Sequence, residues 1–213
     1  MIIKCFQLGH LWTNCYVLSS GSGLSVMIDP GGPTDEVRAY MANNSLKLKK
    51  ILLTHGHADH LMGLGEVRGM AEEGVAIHSG DAACIVSASE NLSSVMGSPA
   101  EFNQADLQLS DGLDMEIGGM KIQVIHTPGH TRGSCCFYAA EGSDALLISG
   151  DTLFARSVGR TDLPGGDEPT LLESLKKLEA IADGVPVYPG HGPSTTIGDE
   201  RRLNPFWPNA LKK

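Results

Sequence analysis

The stretch Thr54-His55-Gly56-His57-Ala58-Asp59-His60 packs three of the chain's eight histidines and one aspartate into the six positions from His55 to His60. Imidazole nitrogens and a carboxylate suit zinc, iron or manganese, and the absence of thiolate argues against a closed structural zinc site. Four ligands this close in sequence do not wrap one tetrahedral ion comfortably, so two metals sharing the motif is the simpler geometry. His55 and His57 lie two residues apart, and an extended segment aims both the same way. Asp59 and His60 follow one turn on, where the chain can enter a helix and face a second ion.

Working outward, the motif follows the apolar run KILLT (Lys50 to Thr54). The arrangement recurs: IQVIHTPG precedes His130, LLISG precedes Asp151 and VYPG precedes His191. Ligands delivered by several strand ends converge on one edge of a sheet scaffold, where loop-built sites are expected.

The first half reads as strands at Ile2 to Gln7, Tyr16 to Ser19 and Leu24 to Asp29, and then a helix from Pro33 to about Asn43. Leu61, Leu64, Val67 and Met70, spaced by three, predict a helix over Asp59 to Glu73 that stops at Gly74. VAIH (Val75 to His78) reads as a strand, Gly80 to Glu90 as helical, and Asn91 to Ser110 as a surface loop or lid. A second series follows: strands at Met120 to Ile125, Cys135 to Ala139 and Ala145 to Ile148, a helix at Glu168 to Ala182, and a strand at Val185 to Tyr188. The halves thus hint at a repeat, with no Pro/Ser linker or charge block between them. The expectation is an α/β fold in one domain over residues 1–213, two sheets packed together with helices outside, an αβ/βα four-layer sandwich.

At 213 residues and 41% hydrophobic content the chain suits a soluble globular protein, and 5% aromatics leave its core mainly to Val, Ile, Leu, Ala and Met. Many of the 26 glycines flank the ligand candidates, as tight loops require. A net charge of −9 argues against nucleic acid as a partner. No apolar stretch is long enough to span a bilayer, and MIIKCFQLGH lacks the apolar core of a signal peptide. Five cysteines without scaffold density point to a reduced, cytoplasmic setting. Adjacent Cys135 and Cys136 point to opposite faces of a strand as small core residues.

Taken in order, TNCYVL, IDPGG, THGHADH, HTPGHTRGS, GDTLF, VGRTDLPGGD and PGHG resemble the metallo-β-lactamase superfamily, and within it the glyoxalase II-like (hydroxyacylglutathione hydrolase-like) thioesterases, over nearly the whole chain. The resemblance implies two divalent ions, zinc with iron or manganese as alternatives. His55, His57 and His130 would hold the first, Asp59, His60 and His191 the second, and Asp151 would bridge both. Asp29 matches a position expected to orient a ligand imidazole. His126 is read as structural or supporting, and His10 and His78 as ordinary structural or surface residues.

The implied reaction is hydrolysis of a small-molecule thioester, such as S-lactoylglutathione, to acid and thiol. Two ions sharing a water lower its pKa and supply a bridging hydroxide, so no Ser or Cys nucleophile is needed. Asp59 and Asp151 are the candidate catalytic carboxylates, and Asp59 is a candidate acceptor of the water's proton. Arg160, nine residues after Asp151, falls where the family carries a basic glutathione contact, and an Arg can clamp a carboxylate bidentately. Its structural alternative is pairing with Asp162 or Asp167. Gly192 and Pro193 follow His191 where the family has Tyr, and the matched motifs end with PGHG, without the helical region through which longer glyoxalase II enzymes contact glutathione. The alternatives are a mono-iron persulfide dioxygenase and a lactone or ester hydrolase of the same superfamily. A secreted β-lactamase is disfavoured by the missing export signal. The tail LNPFWPNAL is expected to dock on the body or to form a contact in a homo-oligomer.

Overall fold

The computed structural model describes residues 1–207. The first sheet runs β1 (Ile2–Leu8), β2 (Thr13–Ser19), β3 (Leu24–Ile28), β4 (Lys47–Leu52), β5 (Val75–His78) and β6 (Leu107–Leu109) in that spatial order. Its first three strands are antiparallel, and β3 to β6 are parallel. The second sheet is built from β7 (Asp114–Ile117), β8 (Met120–His126), β9 (Cys135–Glu141) and β10 (Asp144–Gly150) as an antiparallel meander. After a small hairpin of β11 (Leu153–Phe154) and β12 (Ser157–Val158), β13 (Pro186–Pro189) joins β10 in parallel, with β14 (Thr195–Thr196) at the edge. Three helices, α1 (Asp35–Asn43), α2 (Leu64–Val67) and α3 (Ala82–Ile85), interrupt the first series, and α4 (Glu168–Lys177) and α5 (Ile197–Leu203) the second.

Period-two alternation of the strands builds the layers. Tyr16, Leu18, Val26 and Ile28 face Ile122, Val124, Phe137 and Ile148 across the space between the sheets. The opposite face of the first sheet (Val17, Met27, Ile51, Ile77) is covered by Val37 and Met41 of α1, Leu64 of α2 and Ile85 of α3. The opposite face of the second (Leu147, Val187) is covered by Leu175 of α4, Ile197 of α5 and Trp207. The result is the expected α/β four-layer sandwich. Cys135 faces the central layer and Cys136 the outer one, as neighbours on one strand must.

Several expected elements are corrected. Residues 59–73 do not form one helix: a 3-10 turn at Ala58–His60, α2 and a second 3-10 turn at Arg68–Met70 take its place. Leu61, Leu64 and Val67 are buried as the spacing requires, but Met70 is exposed. Gly63 breaks the run because the chain presses against another loop there: a Cβ on it would lie 2.1 Å from the Gly32 carbonyl oxygen. Helix within 80–90 shrinks to a 3-10 turn and α3. The 91–110 segment ends in the edge strand β6, and β7 and α5 were not expected at all. Trp207 is buried on the body, whereas the tail from residue 208 lies outside the described residues. No helix among the described residues is long and apolar enough to cross a membrane.

Candidate metal centre

All seven candidate ligands meet at one edge of the sandwich. His55, His57, Asp59 and His60 follow β4, His130 lies in the β8–β9 loop, Asp151 directly follows β10 and His191 follows β13. Their ligand atoms form three overlapping groups, each within 4.8 Å: His55, His57 and His130; His55, His60 and Asp151; Asp59, His60 and His191. Asp151 sits at the junction, with Oδ1 3.5 Å from His60 Nε2 and Oδ2 3.6 Å from both His130 Nε2 and His191 Nε2. His191 Nε2 stands 3.2 Å from Asp59 Oδ2.

The far side of each imidazole explains why these atoms converge. The His60 Nδ1–H donates to Asp29 Oδ2 at 2.9 Å, His130 Nδ1–H to the Arg160 carbonyl at 2.7 Å, and His191 Nδ1–H to the Leu11 carbonyl at 3.1 Å. His55 Nδ1 lies 3.1 Å from Thr54 Oγ1, which itself donates to Asp29 Oδ2 at 2.6 Å. In all four, the tautomer that satisfies Nδ1 leaves an Nε2 lone pair facing the cluster. Asp29 holds a left-handed backbone, φ 51°, at the end of β3, and its other oxygen accepts the Thr54 amide at 2.8 Å. Strain of this kind persists where surrounding contacts over-determine it.

Other supports carried no signal in the sequence. Asp81 accepts from the amides of Gly56 (2.9 Å) and Gly133 (2.7 Å) and from Thr131 Oγ1 (2.6 Å), tying the His55–His57 segment to the His130 loop. Asn14 Nδ2 donates to the carbonyls of Pro189 and Gly192, both at 2.9 Å, and fixes the loop bearing His191. His126 donates from Nε2 to the Arg132 carbonyl and stacks on His78 at 3.8 Å, a structural pair. His10 is an exposed surface residue.

The electrostatics divide the site. Burial holds His55 well below its ordinary value, and burial with the neighbouring His130 pushes His57 down to about 3. Burial also opposes charge on His60, yet Asp59, Asp29 and Asp151 surround it and push it up to about 10. Burial alone would raise the Asp59 carboxyl, but His60 and His191 hold it below the usual carboxylate range. His55 and His57 are thus held neutral, whereas the carboxylates around His60 favour positive charge at its position. Among the described residues, four buried polar atoms of the cluster, His55 Nε2, His60 Nε2, His130 Nε2 and Asp151 Oδ1, have no hydrogen-bond partner. Leaving such atoms unpaired is costly, and all four belong to the overlapping ligand groups. The donor set therefore fits a binuclear divalent metal site.

A sequence model of the metallo-beta-lactamase superfamily matches residues 9–191. The chain belongs to the metallo-beta-lactamase superfamily. Among curated relatives, it is 36% identical to the probable metallo-hydrolase YqgX of Bacillus subtilis, with 93% of each chain covered. It is 34% identical to the hydroxyacylglutathione hydrolase GloC of Haemophilus influenzae, over 97% of this chain and 98% of that one. Among solved structures it superposes on BLEG-1 B3 metallo-beta-lactamase with a TM-score of 0.91 and 38% identity, covering 96% of this chain and 99% of that one. TTHA1623 in a di-iron-bound form gives 0.83 and 36%, covering 95% and 99%. ETHE1 from Myxococcus xanthus gives 0.77 and 28%, covering 96% and 84%.

Above the cluster opens a cleft of about 720 Å³ whose floor includes His57, Asp59, His130, Asp151 and His191. The β11–β12 hairpin supplies Phe154 and Val158, and the 91–96 segment supplies Asn91, Leu92, Val95 and Met96. Arg160 also lines it, but the guanidinium is already engaged: Nε and Nη2 donate to the two oxygens of Asp162 at 2.7 and 2.8 Å. One edge of the expected clamp is thus taken by an internal carboxylate, and Arg160 reaches the centre through its backbone carbonyl on His130.

Proposed function

We propose that this chain is a binuclear metal-dependent hydrolase that cleaves thioesters, R–CO–SR′ + H₂O → R–COOH + R′–SH, with S-lactoylglutathione as the leading substrate. The observation that carries the reading is the set of four partnerless buried ligand atoms at the floor of an open cleft. Likeness to GloC supports the thioester. Bound divalent metal supplies Lewis-acid polarisation of a carbonyl and water of lowered pKa. His55, His57 and His130 would hold one ion, Asp59, His60 and His191 the other, with Asp151 shared. Asp29, Thr54 and the Arg160 and Leu11 carbonyls keep the imidazoles in the ligand tautomer. Asp59, which lines the cleft and whose Oδ2 accepts from Thr13 Oγ1 at 3.2 Å, would serve as the proton acceptor.

Steady-state hydrolysis of S-D-lactoylglutathione by metal-replete protein, assayed without oxygen, tests this. A kcat/KM above about 10⁴ M⁻¹s⁻¹ supports the thioesterase, and a value orders of magnitude lower removes glutathione thioesters. A second reading, a mono-iron persulfide dioxygenase, is favoured by likeness to ETHE1. One iron per chain with dioxygen consumption would install it, whereas two metals per chain would not. Likeness to BLEG-1 brings β-lactams, beside lactones, into the substrate panel.

A further inference from the structure

The cleft above the ligand cluster is asymmetric in chemistry. On the β11–β12 side Arg160, paired through one edge with Asp162, stands beside Phe154 and Val158. The other side, Asn91 to Met96, carries no charged residue. Its one strongly polar side chain is spent inward: Asn91 Nδ2 donates to the carbonyls of Cys84 and Ala100, and Oδ1 accepts the Ser93 amide. What remains for a ligand there is apolar: Leu92, Val95 and Met96, with Leu11 also on the cleft wall. These side chains do not form a buried core. Val95 is 83% exposed, Leu11 52% and Met96 48%, and Trp12, next to Leu11, is 66% exposed.

Of the five non-glycine residues with left-handed backbones among the described residues, Leu92 at φ 69° lines this cleft and Trp12 at φ 56° directly follows the lining residue Leu11. For bulky residues that conformation is costly and uncommon, and such strain collects at ligand clamps. Exposed apolar side chains next to reactive groups, held by strained turns, mark a binding wall rather than a solvated loop.

We propose that the wall formed by Leu11, Leu92, Val95 and Met96 is an acyl-binding site, selecting thioesters whose acyl group is an apolar chain. The inference rests on the metal-dependent thioester hydrolase reading above and puts an apolar acyl chain in place of the polar lactoyl group. The acyl carbon lies at the ligand cluster, the alkyl chain runs along the uncharged wall, and the thiol leaves on the Arg160 side. Arg160 is the one Lys or Arg side chain among the described residues that lines the cleft, and Asp162 occupies the Nε–Nη2 edge of its guanidinium, so a polyanionic thiol would have to compete with an internal carboxylate.

Two measurements on zinc-loaded protein test the site. One is kcat/KM for acetyl, butanoyl, hexanoyl and octanoyl thioesters of a single small neutral thiol, beside S-lactoylglutathione. The other is calorimetric binding of the matching carboxylates, acetate to octanoate. Both should rise with chain length, by up to about fourfold per buried methylene. A double variant, Val95→Ser with Met96→Ser, alters two exposed side chains and should flatten both slopes. Flat slopes in the native protein overturn the acyl site, and hydrolysis of S-lactoylglutathione would then leave the hydrolase reading standing. Rising carboxylate affinity without turnover of any thioester keeps the acyl site and removes the hydrolase reading. Flat slopes in a dimer that the double variant dissociates would make this wall an interface between copies and overturn the proposal.

Discussion

At the scale of single residues, the centre depends on acceptors behind the ligands as much as on the ligands. Asp29 receives three hydrogens, from His60 Nδ1, Thr54 Oγ1 and the Thr54 amide. In Asp29→Asn one oxygen becomes an NH₂, so either amide orientation sets a donor against a donor. The size is unchanged, and the loss falls on orientation of His60 and, through Thr54, of His55. Metal affinity should drop about 10- to 100-fold, read by competition with a chelator, while the melting temperature of the metal-free protein moves little. Undiminished affinity would make Asp29 a turn residue only. Arg160 gives a second case. Freed by Asp162→Asn, its guanidinium can donate through both edges to a substrate carboxylate, so KM for S-lactoylglutathione should fall severalfold with kcat unchanged. The pair is solvent-exposed, so its loss should barely alter stability. An unchanged KM would place the Arg160 side chain outside the binding site.

Among the elements, legibility followed the kind of signal a residue leaves. The seven candidate ligands that the fold brings together were legible because His and Asp side chains in fixed order after apolar strands leave a chemical imprint, and β1 to β5, β8 to β10 and β13 were legible from apolar runs. Supports such as the Arg160 and Leu11 carbonyls left none, because any residue supplies a carbonyl. Asp81 left no signal either, since only the fold brings Gly56, Thr131 and Gly133 to it. Short edge strands such as β6, with two of its three residues exposed, lack the alternation that announces a strand. The broken helix over 59–73 failed for a tertiary reason. Leu61, Leu64 and Val67 satisfy helical spacing, but Gly63 presses on the Pro30–Gly32 backbone and its amide donates to the Pro30 carbonyl at 2.7 Å. Gly63→Ala, which raises helix propensity, should therefore destabilise the protein by about 1–3 kcal/mol through overpacking. Denaturant unfolding measures this, and a stabilised variant would mean that the loop contact yields easily.

The whole molecule is two β-sheets whose loops share one cluster. The first sheet contributes His55, His57, Asp59 and His60, and the second His130, Asp151 and His191. An ion held by both sets would join the layers at the edge where their loops meet, in addition to the apolar packing between them. The metal-free cluster instead leaves four buried donor atoms unpartnered and His60 ringed by three carboxylates. Binding to the folded state alone adds about 2.7 kcal/mol per site when free metal is a hundredfold above Kd. For a chain of this length that corresponds to roughly 5–10 °C in melting temperature. Chelation should lower Tm by about that much for each site emptied, and readdition of zinc should restore it. Asp151→Asn replaces the carboxylate that touches His60, His130 and His191 at once. This variant should fold, show no measurable turnover, and display a much smaller gap between loaded and stripped melting temperatures. A gap equal to that of the unsubstituted protein would remove Asp151 from the shared position. A large gap that survives Asp151→Asn but vanishes in His191→Ala would put the stabilising ion on the Asp59, His60 and His191 side alone.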